Sequence, residues 1–324
     1  MKIHLLFFYF INYCVYSQIS DSTNVKAKNF NSNATQYNGS YYYPKTKIKA
    51  EFINRLSDSI PESSGLITFD SLLWTHNDDH DTSLYGMDES GKIRKKINLP
   101  HVINQDWEEI TQDENYIYIG DFGNNYQGNR TNLRILKFDK KNIYNKNLSY
   151  ESITFTYEKQ IDLRPQASNS TNFDCEAFLV YKDSIYLFTK EWKNQKTTIY
   201  SLANQAGNHI AKVQKSLDTQ GLITGATFLP EQKTIVLCGY TKKGKAFLYL
   251  LKNFKHSDFL SGNKRRIDLK FSFHQIEGIA TFDGINFYIT NEHLQLKPIL
   301  NVPQKLHKIN LSDFLDINIK NQKL

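Results

Sequence analysis

Ser64, Glu108, Glu176, Thr224 and Glu277 stand near the head of five alike segments of this chain. Each segment begins with a β-rich run, passes through a tight polar turn, and continues as a second, more apolar run. Three carboxylates and two hydroxyls in one repeated register point to a shared site. Acids crowded in this way either take up protons, with raised pKa, or hold a cation. An all-oxygen set favours a hard ion such as Ca²⁺, with main-chain oxygens and water completing its shell. The plainer alternative is solvated rim charge, one Glu per strand start.

A second group of residues could supply catalysis. Asp121 and Lys190 end the second runs of the second and third segments, and Arg130 follows the former. A rim offering these groups would bind a phosphorylated or carboxylated ligand, with Glu108 or Asp121 as base. Asn124, Asn125 and Arg134 lie close by, and Asn291-Glu292-His293 takes the equivalent place after the fifth segment. His76-Asn77-Asp78-Asp79-His80-Asp81 is dense in ligand types and reads as a polar turn, with a second metal site or part of an active site as the sharper alternative. Trp74, Trp107 and Trp192 read as packing residues, Trp192 being the one best suited to act as a sugar platform. The chain has no Gly-x-Ser-x-Gly, His-Glu-x-x-His or P-loop pattern. Cys175 and Cys238 read as small buried hydrophobes, with a bridge between them left open. Three cysteines in all supply neither a disulfide framework nor a four-Cys zinc site.

Positioning these residues falls to β-strands. From Glu51 onward helical periodicity is nearly absent, and short β-rich runs recur between Asp, Asn, Gly and Lys turns. Ser63 to Phe69 leads to Leu72 to Thr75, Trp107 to Thr111 to Tyr116 to Asp121, and Cys175 to Val180 to Ile185 to Lys190. Ile223 to Phe228 leads to Ile235 to Gly239, and Ile276 to Phe282 to Phe287 to Asn291. The five head residues are spaced by 44, 68, 48 and 53 positions. Repeats of that length, built of about four strands, are propeller blades. The expectation is an all-β fold, a single β-propeller of five blades, with a sixth left open by the 68-residue interval. In such a ring the innermost strands line the axis, so the five head residues converge there. Strands near 50–56 and 305–311 are expected to pair in the last blade and close the ring.

The order of the head residues resembles the five-bladed calcium-activated nucleotidases, or apyrases. That family carries Ser, Glu, Glu, Ser and Glu on successive inner strands around a central calcium ion, and this chain offers Ser64, Glu108, Glu176, Thr224 and Glu277. Glu108, twelve residues before Gly120 in Ile119-Gly120-Asp121-Phe122-Gly123, is similar to the family's Glu-Trp strand and its Gly-x-x-Gly-type turn. The resemblance spans most of residues 50–311 and implies an axial calcium ion and phosphate-ester hydrolysis. Departures bear on catalysis: Asn77-Asp78-Asp79-His80-Asp81-Thr82 lacks the arginine of the family's turn, Asn124-Asn125 stand where it has a basic residue, and Thr224 replaces a Ser. Glu62-Ser63-Ser64-Gly65-Leu66, Asp106-Trp107-Glu108 and Asp174-Cys175-Glu176-Ala177 also resemble uncharacterised exported bacterial propellers.

Composition sets the frame. In 324 residues, 40 Lys and Arg stand against 33 Asp and Glu, a formal charge of +7. At 40% hydrophobic and 14% aromatic, wholesale disorder is excluded. The densest basic clusters, Lys92-Ile93-Arg94-Lys95-Lys96 and Lys264-Arg265-Arg266, belong to no nucleic-acid-binding module, so nucleic acid is not expected as a partner. Met1-Lys2, the apolar stretch to Val15, and Val15-Tyr16-Ser17 read as a signal peptide (1–17) cleaved before Gln18. A lipid anchor at Cys14 is the alternative. Residues 18–46 read as a flexible Asn-, Ser- and Tyr-rich leader, 47–316 as the propeller and 317–324 as a tail. The expected product is an exported protein (periplasmic, cell-surface or secreted), monomeric and without a membrane span once mature. It would act on a small anionic substrate, or bind an extracellular protein or glycan with its ion purely structural.

Overall fold

The computed structural model describes residues 20–21, 36–37, 46–79 and 81–315. The proposed signal peptide with Cys14, nearly all of the leader, His80 and the 317–324 tail therefore lie outside the described residues. Apart from two short 3₁₀ turns, Lys140–Asn142 and Ser312–Phe314, the regular elements described are all strands.

The strands assemble into five four-stranded antiparallel units. The first comprises Ser63–Phe69, Leu72–Asn77, Ser83–Met87 and Ile93–Asn98. The second runs Trp107–Gln112, Tyr116–Asp121, Leu133–Asp139 and Glu151–Tyr157. The third runs Cys175–Tyr181, Ser184–Thr189, Thr197–Ala203 and Gly207–Leu217. The fourth runs Leu222–Leu229, Thr234–Tyr240, Lys245–Lys252 and Asn263–Ser272. The fifth takes Ile276–Thr281, Asn286–Asn291 and Lys305–Asn310 from late in the chain, and Glu51–Arg55 from its start. That last pairing, His307 opposite Phe52, joins the two ends of the ring as the sequence suggested. The innermost strand of each unit contacts that of the next, and the fifth contacts the first, giving a β-propeller.

The core explains why the strands read as nearly continuous apolar runs. It divides into five clusters, each filling one gap between successive units. Trp74 and Leu84 meet Trp107 and Ile119 between the first and second, and Phe122 meets Phe178 between the second and third. Phe188 meets Phe247 between the third and fourth, Leu248 meets Phe287 between the fourth and fifth, and Tyr288 meets Tyr85 between the fifth and first. A strand that packs on both faces has no wet side, so polar alternation is lost except at the outer edges. Those edges are covered in places. The outer strands of the second and third units pair in parallel, Ile153 opposite Gly207, and Thr46–Ile48 lies parallel to the outer strand of the fourth unit. The 68-residue interval is taken up by an outer hairpin connection and the 158–174 loop, and no further strand lies in it.

Cys175 and Cys238 are buried free thiols, which closes the question of a bridge. The two basic clusters sit on the outer strands of the first and fourth units, with Arg94 paired to Asp88, Lys95 to Asp70 and Arg266 to Asp268. No helix among the described residues is long and apolar enough to cross a membrane.

Candidate metal centre

Every inner strand has a register shift at or just after its head residue. Gly120 pairs with Glu109 but Asp121 with Trp107, so Glu108 has no partner across the hairpin. Glu176 is passed over between Cys175 and Ala177, Thr224 between Ile223 and Gly225, and Glu277 between Ile276 and Gly278. In the first unit the shift falls just after Ser64. A bulge adds one unpaired residue, bends the strand and re-aims a side chain. Four head residues, Glu108, Glu176, Thr224 and Glu277, are thus the bulged ones, while Ser64 keeps His76 as its partner, and all five are buried.

What the bulges bring together differs by residue type. Glu108, Glu176 and Asp174 each offer a carboxylate oxygen, and the three oxygens lie within 4.8 Å of one another. The Lys190 ammonium is hydrogen-bonded to Glu176 and stands 4.7 Å from the Trp192 ring centroid and 5.2 Å from that of Tyr240. Trp192 donates its indole N–H to Asp174 at 2.7 Å, and the Asn124 backbone N–H donates to the same carboxylate at 2.8 Å. Trp192 is thus part of the wall of the well. Trp74 and Trp107 are fully buried packing residues. Glu277 lies within electrostatic reach of Lys190, Glu176 and Glu292. The two hydroxyls do something else: Ser64 donates to the Glu108 carbonyl at 2.6 Å, and Thr224 donates to the Ile276 carbonyl, each stitching its strand to the next.

A second tier surrounds the first. The backbone N–H groups of Asp78, Lys190 and Glu292 donate to the carbonyls of Glu62, Asp174 and Gln275, so the three residues are equivalent ends of second strands. Glu62, Asp78 and Asp79 form a further group of close carboxylates, which lifts part of the His76–Asp81 turn into the mouth of the well. His76 itself is buried and edge-on to Trp107.

The electrostatics follow from burial. Desolvation, reinforced by Glu176, Asp106 and Asp174, holds the Glu108 carboxyl well above the usual range. Desolvation pushes Glu176 up to about 8 even against the pull of Lys190, and Glu277 well above its ordinary value. Asp106 and Glu292 are raised to about 7 and Asp78 to about 9, again chiefly by burial. Burial would discharge Lys190, but Glu176, Tyr240, Glu277 and Asp174 outweigh it and keep the ammonium charged. Many acids thus face one ammonium, and the cluster holds extra protons that a cation would displace.

Calcium fits this donor set. Two oxygens on one ion at about 2.3–2.6 Å can be no more than about 5 Å apart. The Glu108, Asp174 and Glu176 oxygens meet that limit.

The other catalytic candidates are engaged. Both Asp121 oxygens are taken, one by Arg130 at 2.8 Å and the other by Arg134 at 2.8 and 3.0 Å. Arg130 also donates to the Gly123 carbonyl at 2.6 Å and stands 3.8 Å from Asp106 at the edge of the well. Asp106 and Asp174 were not singled out as ligands, although the acid-x-Glu pattern in Asp106-Trp107-Glu108 and Asp174-Cys175-Glu176 carried the signal.

Glu109 was also missed. Its side chain crosses the axis as a plug, accepting from the Ala226 N–H of the fourth unit at 2.9 Å and the Ile110 N–H at 3.0 Å. Gly65 makes room for it, since a Cβ there would lie 2.5 Å from Glu109 Oε1. The signal was again present: the other four units have Gly65, Ala177, Gly225 and Gly278 at this position. Beyond the plug, a cavity of about 810 Å³ opens at the opposite end of the axis, lined by Leu66, Thr68, Phe69, Ala226, Phe228 and Ala280 among others. The clustered carboxylates and the ammonium are at the well rather than in this cavity.

No protein-family model matches the chain, and no curated protein matches its sequence. Among solved structures, it is similar to an exo-1,5-α-L-arabinanase from a bovine ruminal metagenomic library, at 13% identity over 79% of this chain and 96% of that one, with a TM-score of 0.47. It is also similar to a candidate 6-phosphogluconolactonase from Bacteroides uniformis, at 12% identity over 78% of this chain and 72% of that one, with a TM-score of 0.34. Likenesses this distant assign neither chemistry nor substrate to the well.

Proposed function

We propose that this chain is an exported propeller whose axial well binds Ca²⁺ and uses it to hold and hydrolyse a small anionic substrate such as a phosphate ester. The observation that carries this reading is the meeting of Glu108, Asp174 and Glu176 oxygens within 4.8 Å, with Lys190 the ammonium among them. Glu108, Asp174 and Glu176 would hold the ion, and Glu277 would face it. The ion would supply charge neutralisation and polarise the substrate oxygen or the attacking water. Lys190 and the outer edge of Arg130 would orient the anion, and Asp106, raised to about 7, would exchange a proton near neutral pH. The inner-strand order Ser64, Glu108, Glu176, Thr224, Glu277 supports the likeness to apyrases.

The closure of Asp121 by two arginines favours a second reading, in which the ion staples the ring and the face binds a protein or glycan. Turnover separates the two. The purified protein is assayed on nucleotides and phosphate esters in calcium and in EDTA. Calcium-dependent turnover that vanishes in Glu176→Gln supports the first reading. A calcium-binding protein with no turnover on the panel moves the account to the second.

A further inference from the structure

The inner strands begin at the well and the second strands return to it, so the loops after second and fourth strands all emerge at that end. Seven of the eleven large apolar side chains that stand exposed among the described residues are carried there. Ile161 and Ile299 are 93% and 89% exposed, Tyr126 and Ile103 75% and 69%, and Leu163, Leu296 and Phe273 about half. They belong to three connections between units and to the loops 122–132 and 292–304. Where the third and fourth units turn, the same face presents exposed Lys193, Lys196, Lys242 and Lys243 instead, and Lys159 and Lys297 stand among the apolar tips. Most acids of this face are buried or ion-paired, while Asp58 and Asp218 stand exposed on it. Glu108, Glu176 and Glu277 are at most 6% exposed, Asp162 is paired with Arg164, and Asp58 with Arg55.

We propose that this face docks onto an anionic lipid surface, with the apolar loop tips in the interface and the lysines on the head groups. Isolated apolar side chains on protruding loops present no continuous patch for a shape-matched protein partner, whereas a bilayer surface accepts each tip separately. The lysines supply the charge complementarity, adding attraction that falls off with salt. The well would then open toward the membrane. The inference stands apart from the calcium reading, because the rim residues are not the ligands.

Co-sedimentation with vesicles tests it. The purified protein is mixed with vesicles of phosphatidylcholine plus phosphatidylglycerol, and with phosphatidylcholine alone, in EDTA and in calcium. The expected result is binding to the anionic vesicles in both conditions, weakened by salt. Lys242→Glu with Lys243→Glu, and Ile161→Ser with Ile299→Ser, each weaken it roughly tenfold or more. Phe282→Ser, at the opposite end, leaves it unchanged. All variants keep the parent melting temperature. Failure to bind at low salt overturns the proposal and leaves the face to a protein partner. Equal loss from Phe282→Ser overturns it too. Binding only in calcium would mean that the ion, rather than the rim, bridges to the head groups, and would also overturn it.

Discussion

Glu176 shares its pocket with Asp174, Glu108 and the Lys190 ammonium, and none of these charges would be stable there alone. Removing the ammonium by Lys190→Met leaves the acids uncompensated. Without cation the variant should lose about 3–5 kcal/mol at neutral pH, read as a lower urea midpoint in EDTA. Calcium should restore much of the loss, since the ion takes over the ammonium's place among the carboxylates. Cation affinity should rise with pH between about 6 and 8, because protons held by Glu176 near 8 and by Asp106 and Glu292 near 7 must leave first. Calorimetric titration in buffers of different ionisation heat would register that proton release, and pH-independent binding would contradict it. His307, stacked on Phe271 at 4.9 Å, is kept neutral down to about pH 3 by burial, with His274 and Lys305 adding to it. Its unfolded value is the ordinary 6.5, so the unfolded chain takes the proton first as pH falls. Stability from this group is full above about 6.5 and is lost toward 3. His307→Phe should therefore lose less stability than the parent between about pH 6.5 and 4.5, in urea unfolding.

At the scale of the element, the bulged inner strand is the unit that makes a site from a sheet. Its cost shows at Gly65, which has φ +65° and faces Glu109 and the Ile110 N–H at 2.5 Å from an added Cβ. Gly65→Ala should cost roughly 1–3 kcal/mol by overpacking and about 1–2 more for the left-handed backbone, seen in thermal unfolding. Glu109→Gln should destabilise by about 1–3 kcal/mol, because an amide N–H₂ would face the Ala226 or Ile110 N–H that the carboxylate now accepts from. The head residues were legible because Glu108, Glu176 and Glu277 repeat before apolar runs. Their tertiary partners were less so. Asp174 and Glu176, two residues apart, share a face at the head of their strand, but Glu108 joins them from the neighbouring unit, an approach that one strand's sequence does not encode. The fates of Ser64 and Thr224, bonded to carbonyls of the next strand, depend on inter-strand spacing that one strand's sequence does not encode. Asp121 looked free in sequence because Arg130 and Arg134 lie on a loop and a third strand whose return to it is a matter of topology.

For the whole molecule, the ring is held by five gaps filled with apolar side chains and by one antiparallel pairing between its ends. The repeat spacing and the two end strands made this architecture legible. The parallel outer pairings, Ile153 with Gly207 and Thr46 with Ile267, were not, since edge strands carry no distinctive pattern. The axial well is where all five units meet, so a cation there would bear on the stability of the whole ring. The most direct measurement is the melting temperature of the purified protein in EDTA and in millimolar Ca²⁺, for the parent and for Glu176→Gln. An ion bound by the folded state alone at about 100 times its Kd adds about 2.7 kcal/mol, a rise of several degrees for a chain this size. The account predicts that rise in the parent and its loss in the variant. Equal melting temperatures with and without calcium, in a protein that retains no ion, would contradict the axial calcium site.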